Sequence, residues 1–215
     1  MKKSLLMGNL FLAMFAVWTT LILTVDVQPL GQNGTNIGFA TFNCWFHHFT
    51  GANVAIYTIT DWMGLVPAII CLIFAGIGLV QLIQRRSLFR VDADILILGV
   101  YFVIVFLAYA IFETIPINYR PILIEGRMEA SYPSSTTLLV LSVMPALIEQ
   151  IQRRLSGIGV KRIITIAAIA FSVFMVTGRL ISGVHWFTDI VGGVLLSAGL
   201  FQLYKAAAML ALKEK

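Results

Sequence analysis

Charged side chains are scarce in this sequence of 215 residues, where Asp, Glu, Lys and Arg make up 12% and apolar residues 59%. A soluble domain carries about twice that share of charge, so a water-soluble globule is excluded. The same apolar excess excludes an intrinsically disordered chain. Two cysteines are too few for a disulfide-stapled secreted module.

The sequence contains long apolar runs instead. Three of them are long enough to cross a hydrocarbon core of about 30 Å as helices, at 5–25, 62–83 and 95–112. Three more reach that length if adjoining polar residues continue the helix, at 134–151, 163–181 and 186–204. The sequence therefore predicts an all-α membrane protein, a bundle of six transmembrane helices forming one domain over 1–215. We expect the first run to be retained, because it is longer than a signal-peptide core.

The basic residues are sorted by these spans. With six spans, twelve of the fifteen Lys and Arg residues fall on one side of the membrane: Lys2, Lys3, Arg85, Arg86, Arg90, Arg153, Arg154, Lys161, Arg162, Lys205, Lys213 and Lys215. Cytoplasmic loops carry such an excess, so we expect a cell-membrane protein with both termini in the cytoplasm. The net charge of +5 is then a topology signal, and nucleic acid is not an expected partner.

Polar residues at membrane depth are functional candidates, because burying them there is costly. Three such stretches fall at the outward ends of spans three to six: Arg120-Pro121, then Pro133 to Thr137, then Gly178 to Asp189. They are far apart in sequence, but the topology brings them to one face of the membrane.

The last stretch contains a possible nucleophile. His185 and Asp189 are four residues apart, so on a helix they face the same way. The carboxylate can accept a hydrogen bond from one ring nitrogen and leave the other as a nucleophile or base. Arg179 lies six residues before His185 and adds a fixed positive charge. A buried Arg–Asp pair with a hydrogen-bonded histidine fits the same spacing.

The two earlier stretches suit a phosphate group. Ser134 and Ser135 follow Pro133 in the pattern of a helix start, whose free N–H groups bind anions. Arg120 lies on the side that is depleted in basic residues, and an arginine holds phosphate through paired N–H groups. The alternatives are that Ser134 and Ser135 only cap the helix, and that Arg120 only extends its side chain to the interface between membrane and water.

These motifs resemble the type 2 phosphatidic acid phosphatase superfamily, the integral-membrane relatives of the vanadium haloperoxidases. That family carries K-x6-R-P, P-S-G-H and S-R-x5-H-x3-D. This sequence has, in the same order, Arg120-Pro121, Pro133-Ser134 and Arg179-x5-His185-x3-Asp189. The resemblance implies a six-helix bundle in which His185 forms a phosphohistidine and Asp189 orients it. It also implies that Arg120, Ser134 and Arg179 hold the phosphate oxygens.

Three positions depart from the family pattern. Gly178 stands where the family has Ser, Glu113 where it has Lys, and Thr136 where it has the His that protonates the leaving group. General acid catalysis is worth roughly 10²–10⁴-fold, and threonine is no useful acid near neutral pH. Glu113 is a possible substitute acid. Other candidates stay open: Glu125, Glu129, Tyr119, Tyr132, His47 and His48.

The function predicted from the sequence is a membrane phosphohydrolase that removes phosphate from a lipid phosphate or diphosphate at the extracytoplasmic face. No cofactor and no metal are expected, and membrane lipids are the expected partners. Two alternatives stay open: a non-catalytic protein that binds or transports a lipid phosphate, and a lipid phosphotransferase on the same fold. The sequence leaves the choice of lipid and the oligomeric state open.

Overall fold

The computed structural model describes residues 1–211, and most of them are helical. Within this range eight α-helices follow one another: α1 (Lys2–Thr24), α2 (Ala40–Thr50), α3 (Val54–Met63), α4 (Leu65–Arg85), α5 (Ala93–Thr114), α6 (Ser135–Arg154), α7 (Ile158–Ile181) and α8 (Phe187–Ala211). Short 3-10 turns occupy Gln32–Gly34 and Leu88–Arg90. Lys213 and Lys215, two of the twelve sorted basic residues, lie outside the described range.

Five segments of the described range are long and apolar enough to cross a membrane: Lys2–Thr24, Val54–Arg85, Ala93–Thr114, Ile158–Ile181 and Phe187–Ala211. The second of these runs through α3 and α4, so it begins earlier than the predicted span at 62–83. The predicted span at 134–151 coincides with α6, which is too polar to be counted by composition. The all-α membrane architecture is confirmed, with five apolar spans and one polar helix of similar length.

The polar helix α6 lies inside the bundle. Nine of its twenty residues are buried, and it packs against α4, α5, α7 and α8. Several of its polar groups find partners there: the hydroxyl of Tyr101 donates to the carbonyl of Ser142 at 3.0 Å, and Gln150 Nε2 donates to Tyr204 Oη at 3.0 Å. Such buried polar groups are tolerated because they are hydrogen-bonded.

Close packing of α1 on α8 depends on two glycines. A Cβ atom at Gly8 would lie 2.7 Å from Leu203 Cδ2, and one at Gly199 would lie 2.7 Å from Leu12 Cδ2. Small residues at a helix interface let the two backbones approach each other. This contact holds α8, whose first turn carries Asp189, against the N-terminal helix.

Ion pairs join the helices at one end of the bundle, which we call the basic end. Arg85 contacts Asp92 at 2.7 Å, Arg154 contacts Asp94 at 2.7 Å, and Lys205 contacts Glu149 at 2.7 Å. These residues come from the ends of α4 and α6, from the start of α5 and from the last part of α8. Several of the sorted basic residues therefore lie together at one end, and the residues of the phosphate motifs lie at the other.

The long connection between α1 and α4 lies between the first two predicted spans, and it is mostly helical from residue 40 onward. It contains α2 and α3, and α3 packs against α7. Aromatic rings cover the outer side of α2: Trp45 and Phe49 stack with centroids 6.2 Å apart and are 61% and 78% exposed. Such rings suit the interface between membrane and water. Because α3 packs against α7, the second half of the connection lies at the end of the bundle where the motifs meet.

Candidate functional site

Arg179, His185 and Asp189 lie around the turn from α7 to α8. Arg179 is in the last turn of α7, His185 is in the connection, and Asp189 is in the first turn of α8. Gly183 makes the turn with a φ of +66°, and a Cβ atom there would lie 1.9 Å from the carbonyl oxygen of Gly51. Only glycine fits both conditions. α8 begins at Phe187, close to the predicted start at 186, so His185 lies in the connection and Asp189 on the helix.

A serine lies between the histidine and the aspartate. His185 Nδ1 is 3.8 Å from Asp189 Oδ2, which is too long for a direct hydrogen bond. Ser131 fills the gap: its hydroxyl donates to Asp189 Oδ2 and lies 3.2 Å from His185 Nδ1. The backbone carbonyl of Ser131 lies 3.1 Å from the same Nδ1. The predicted contact between histidine and carboxylate is therefore made mainly through Ser131.

These contacts determine the protonation of His185. A carbonyl oxygen can only accept, so Nδ1 carries the proton and Nε2 keeps its lone pair. Burial lowers the pKa of His185 to about 4; Asp189 opposes this shift, while Arg120 and Arg179 reinforce it. The ring is therefore neutral near pH 7. Nε2 is buried and has no hydrogen-bond partner among residues 1–211, so it is free to act as a nucleophile.

The connection between α5 and α6 is folded by backbone pairs. The N–H of Arg120 donates to the carbonyl of Glu129 at 3.1 Å, and the N–H of Ser131 donates to the carbonyl of Asn118 at 2.9 Å. The side chain of Asn118 then donates to Asp189 Oδ1 at 3.3 Å. Asp189 Oδ2 also accepts the backbone N–H of Trp186 at 2.9 Å. The carboxylate of Asp189 is thus held in place from both sides.

Arg120 is buried at the same end of the bundle. Its Nη2 lies 3.2 Å from Glu129 Oε2, and its Cζ lies 5.7 Å from the centroid of the Tyr57 ring. Its Nε and Nη1 atoms have no hydrogen-bond partner among the described residues. A buried guanidinium normally satisfies its donors, so Arg120 offers two N–H groups to an anion.

Arg179 is also buried, and it is more tightly held. Its Nε and Nη2 donate to Thr136 Oγ1 at 2.9 and 2.7 Å, and Nη2 also donates to Asp61 Oδ1 at 2.8 Å. Its Cζ lies 5.1 Å from the centroid of the Tyr57 ring. Nη1 has no partner among residues 1–211. This arginine therefore presents one free nitrogen.

The site thus combines two arginines that have free donors with a neutral histidine that has a free lone pair. The arginines can neutralise a phosphoryl group, while the histidine attacks it. In the described part of the chain, no group of three or more His, Cys, Asp or Glu side chains is arranged to hold a metal ion.

The family model of the PAP2 superfamily matches residues 70–210. The chain belongs to the PAP2 superfamily. The match contains every residue of the three motifs, and it starts after α3. The fold agrees, because the chain is similar to the crystal structure of a transmembrane PAP2-type phosphatidylglycerolphosphate phosphatase from Bacillus subtilis. The two share 18% identity and a TM-score of 0.66, over 93% of this chain and 94% of that one. Comparison with curated proteins finds no match.

Two positions that depart from the PAP2 pattern have a structural explanation. Thr136, at the position of the family's leaving-group acid, accepts two hydrogen bonds from Arg179 and so helps to hold it. Gly178, at the position of the family's serine, leaves space for α3: a Cβ atom there would lie 2.6 Å from Thr60 Cγ2. Both changes therefore concern the contacts of Arg179, because Thr136 accepts its hydrogen bonds and Gly178 leaves space for α3, which carries Asp61.

The predicted serines differ in their placement in this PAP2 fold. Ser134 is fully buried; its N–H donates to the backbone carbonyl of Asp189 at 3.0 Å, and its hydroxyl accepts from Thr137 at 3.1 Å. It directly precedes α6, which begins at Ser135 as the pattern of a helix start predicts, but its side chain makes no capping hydrogen bond. Ser135 is half-buried and lines a small pocket with Glu113 and Ser131. Ser131 connects that pocket to His185.

Three of the six other candidate acids make structural contacts. Glu129 pairs with Arg120, and the hydroxyl of Tyr132 lies 2.7 Å from Thr19 Oγ1. The imidazole of His47 lies 3.0 Å from the carbonyl of Gly183. Glu113 and Tyr132 both line the small pocket with Ser131. Because the hydroxyl of Tyr132 contacts Thr19, Glu113 keeps its place as the possible substitute acid.

Sequence reasoning missed four residues of the site: Tyr57, Asp61, Asn118 and Ser131. Ser131 lies just before the Pro133-Ser134 motif, and Asn118 just before Arg120, so their neighbours were a usable signal. Tyr57 and Asp61 offered a weaker signal, because they lie just before the predicted span at 62–83 and outside the motifs. The position of Asp61, directly before a long apolar run, is the signal that could have indicated an arginine partner.

Proposed function

We propose that the protein removes phosphate from a lipid phosphate or diphosphate through a phosphohistidine intermediate. The observation that carries this proposal is the unpartnered Nε2 of a neutral His185, beside the free donors of Arg120 and Arg179. Membership of the PAP2 superfamily supports the reaction class, since the motif residues lie within the matched range.

The reaction consists of two displacements at phosphorus. In the first, His185 Nε2 forms a bond to phosphorus while the bond from phosphorus to the leaving oxygen breaks, and an acid protonates that oxygen. In the second, water attacks phosphorus while the bond from phosphorus to Nε2 breaks, the proton of water returns to the group that acted as the acid, and free His185 and inorganic phosphate are released. Arg120 and Arg179 stabilise the charge on the phosphoryl oxygens in both steps. Asp189 and Ser131 keep Nδ1 protonated and the ring in place.

The replacement of the family's acid by Thr136 favours a substrate with a good leaving group. Thr136 cannot donate a proton at neutral pH, and its oxygen already accepts from Arg179. Glu113 is the substitute acid in this proposal. When a lipid diphosphate reacts, the leaving group is a lipid monophosphate, which needs less protonation than the alkoxide that leaves a monoester. We therefore propose lipid diphosphates as the better substrates.

We propose that the site faces the extracytoplasmic side of the cell membrane. The support is the concentration of Lys and Arg at the opposite, basic end, since cytoplasmic segments are enriched in these residues. At the outward end the site would meet the headgroups of membrane lipids, and the exposed rings of α2 would lie at the interface.

Phosphate release from phosphatidate and from an isoprenyl diphosphate tests the proposal directly. The wild type should release phosphate from at least one lipid, faster from the diphosphate, and His185→Ala should be inactive. Ser172→Ala is the control, because Ser172 only donates to a carbonyl within α7. Equal activity of wild type and His185→Ala would contradict the proposal.

Two alternative functions rest on the changed positions Glu113 and Thr136. A non-catalytic protein that binds or transports a lipid phosphate would bind the lipid without forming phosphohistidine. A phosphotransferase would pass the phosphoryl-containing group to an added lipid alcohol rather than to water. Acid-quenched labelling of His185 and analysis of the products separate the three functions.

A further inference from the structure

We propose that Tyr57 of α3 is a positioning residue of the phosphate site, and that Gly178 is what allows α3 to reach it. This proposal rests on the proposed function, since it concerns how the same site binds its anion. The family model starts at residue 70, so the match assigns no role to α3.

One aromatic ring contacts both arginines of the site. The Cζ atoms of Arg120 and Arg179 lie 5.7 and 5.1 Å from the centroid of the half-buried Tyr57 ring. A cation within about 6 Å of a ring centroid is attracted by the negative charge of the ring face. Tyr57 therefore offsets part of the repulsion between two buried like charges when no phosphate is bound.

The ring leaves the donors of the two arginines free. Cation–π contact involves the face of a guanidinium, whereas anions bind to its N–H groups at the edge. Carboxylates take one nitrogen of each: Glu129 contacts Nη2 of Arg120, and Asp61 contacts Nη2 of Arg179. The Nη1 atom of each arginine keeps no partner in the described part of the chain. The two guanidinium groups are thus oriented but available.

The approach of α3 depends on a missing side chain in α7. A Cβ atom at Gly178 would lie 2.6 Å from Thr60 Cγ2 and 3.8 Å from Ile56 Cγ2. The first distance is a clash and the second is an ordinary contact. Thr60 is fully buried, and its hydroxyl donates to the carbonyl of Ile56 at 2.8 Å, so it has little freedom to move. Because Tyr57 lies one helical turn before Thr60, any shift of α3 also shifts the ring.

Orthovanadate, a phosphate analogue, is the probe for the test, with binding to the purified full chain measured by calorimetry. Tyr57→Leu should weaken binding about tenfold, whereas Tyr57→Phe, which keeps the ring face, should stay within about twofold of the wild type. Loss of binding in both variants, or in neither, would overturn the proposal. The aromatic variant separates the effect of the ring from a general loss of packing.

The role of Gly178 is tested by adding a methyl group at this position and then removing one from Thr60. Gly178→Ala should weaken orthovanadate binding, and adding Thr60→Ser, which removes Cγ2 but keeps the hydroxyl, should restore it. Gly159→Ala in the same helix is the control, because nothing lies within 4 Å of a Cβ atom there. Unchanged binding in Gly178→Ala, or failure of Thr60→Ser to restore it, would contradict the role of Gly178.

The binding assay also separates this proposal from the proposed function. If the wild type binds orthovanadate but releases no phosphate from any lipid, the proposed reaction is wrong, and the comparison of Tyr57→Leu with Tyr57→Phe still decides the role of Tyr57. If the wild type does not bind orthovanadate, the site is no anion site and both proposals fail.

Discussion

The backbone carbonyl of Ser131 lies 3.1 Å from Nδ1 of His185 and accepts a hydrogen bond from its N–H group. The side chain of the same serine donates to Asp189 Oδ2. One residue thus sets the tautomer of the histidine and connects it to the carboxylate. The tautomer survives loss of the serine side chain, because the backbone remains.

Removing the hydroxyl of Ser131 therefore has a defined effect. Ser131→Ala should lower kcat for phosphate release roughly tenfold with little change in KM, since a hydrogen bond to a charged group is worth about 1.5–3 kcal/mol. Steady-state kinetics on the preferred lipid measure this. A change confined to KM would show that Ser131 acts in substrate binding instead.

Thr136 is expected to act through Arg179. Thr136→Val, which is close in shape but cannot accept a hydrogen bond, should raise KM about tenfold, because two guanidinium donors lose their acceptor. Thr136→Ser should behave like the wild type. The pair is compared by steady-state kinetics, and equal KM values for the Val and Ser variants would contradict the prediction.

Glu113→Gln separates the two substrate classes. If Glu113 protonates the leaving oxygen, this variant should lose roughly 10²–10⁴-fold in kcat on a lipid monophosphate. On a lipid diphosphate the loss should be much smaller, because that leaving group needs less protonation. Parallel assays of both lipids measure the difference, and an equal loss on both would argue for a structural role of Glu113.

The buried histidine makes stability depend on pH. The pKa of His185 is about 4 in the folded protein, against an ordinary value near 6.5, so the unfolded chain binds more protons between these values. Stability therefore falls as the pH drops from 6.5 to 4, by about 3 kcal/mol from this residue alone.

The test is thermal unfolding in detergent across this pH range. His185→Asn should show a flatter curve than the wild type, since its amide can donate to the carbonyl of Ser131 without titrating. Curves that run parallel for the two proteins would mean that the histidine is not held neutral.

Gly192 is expected to be sensitive to an added methyl group. A Cβ atom there would lie 2.4 Å from the Tyr132 ring, so Gly192→Ala should lower the unfolding midpoint by several degrees. Gly76→Ala in α4 is the matched control, because nothing lies within 4 Å of its Cβ position. That control should be neutral or slightly stabilising, given the higher helix propensity of alanine.

Sequence reasoning worked where spacing along the chain carries the geometry. Arg179, His185 and Asp189 lie within eleven residues, so one turn brings them together. Tyr57 and Asp61 come from a different helix, and their contact with the arginines depends on how α3 packs against α7. Ser131 was missed for a related reason, because its position depends on the backbone pairs of the connection between α5 and α6.

The same dependence on tertiary contacts explains which helices can be predicted from the sequence. Apolar runs identify helices that face lipid, such as α4 and α5, because their surroundings select for hydrophobicity. α6 faces other helices, so its composition reflects protein contacts, and its span is predicted only by extending a short apolar run through the polar residues beside it. The earlier start of the second span was hidden in the same way by the polar residues of α3.

The enclosed position of α6 has a consequence for how the protein is made. Five segments of the described range are long and apolar enough to cross a membrane, whereas α6 is more polar. We therefore expect the insertion of α6 to depend on helices already in the membrane or following close behind. We expect α5, α6 and α7 to enter together, with α6 stable in the bilayer only once α8 has closed the bundle around it.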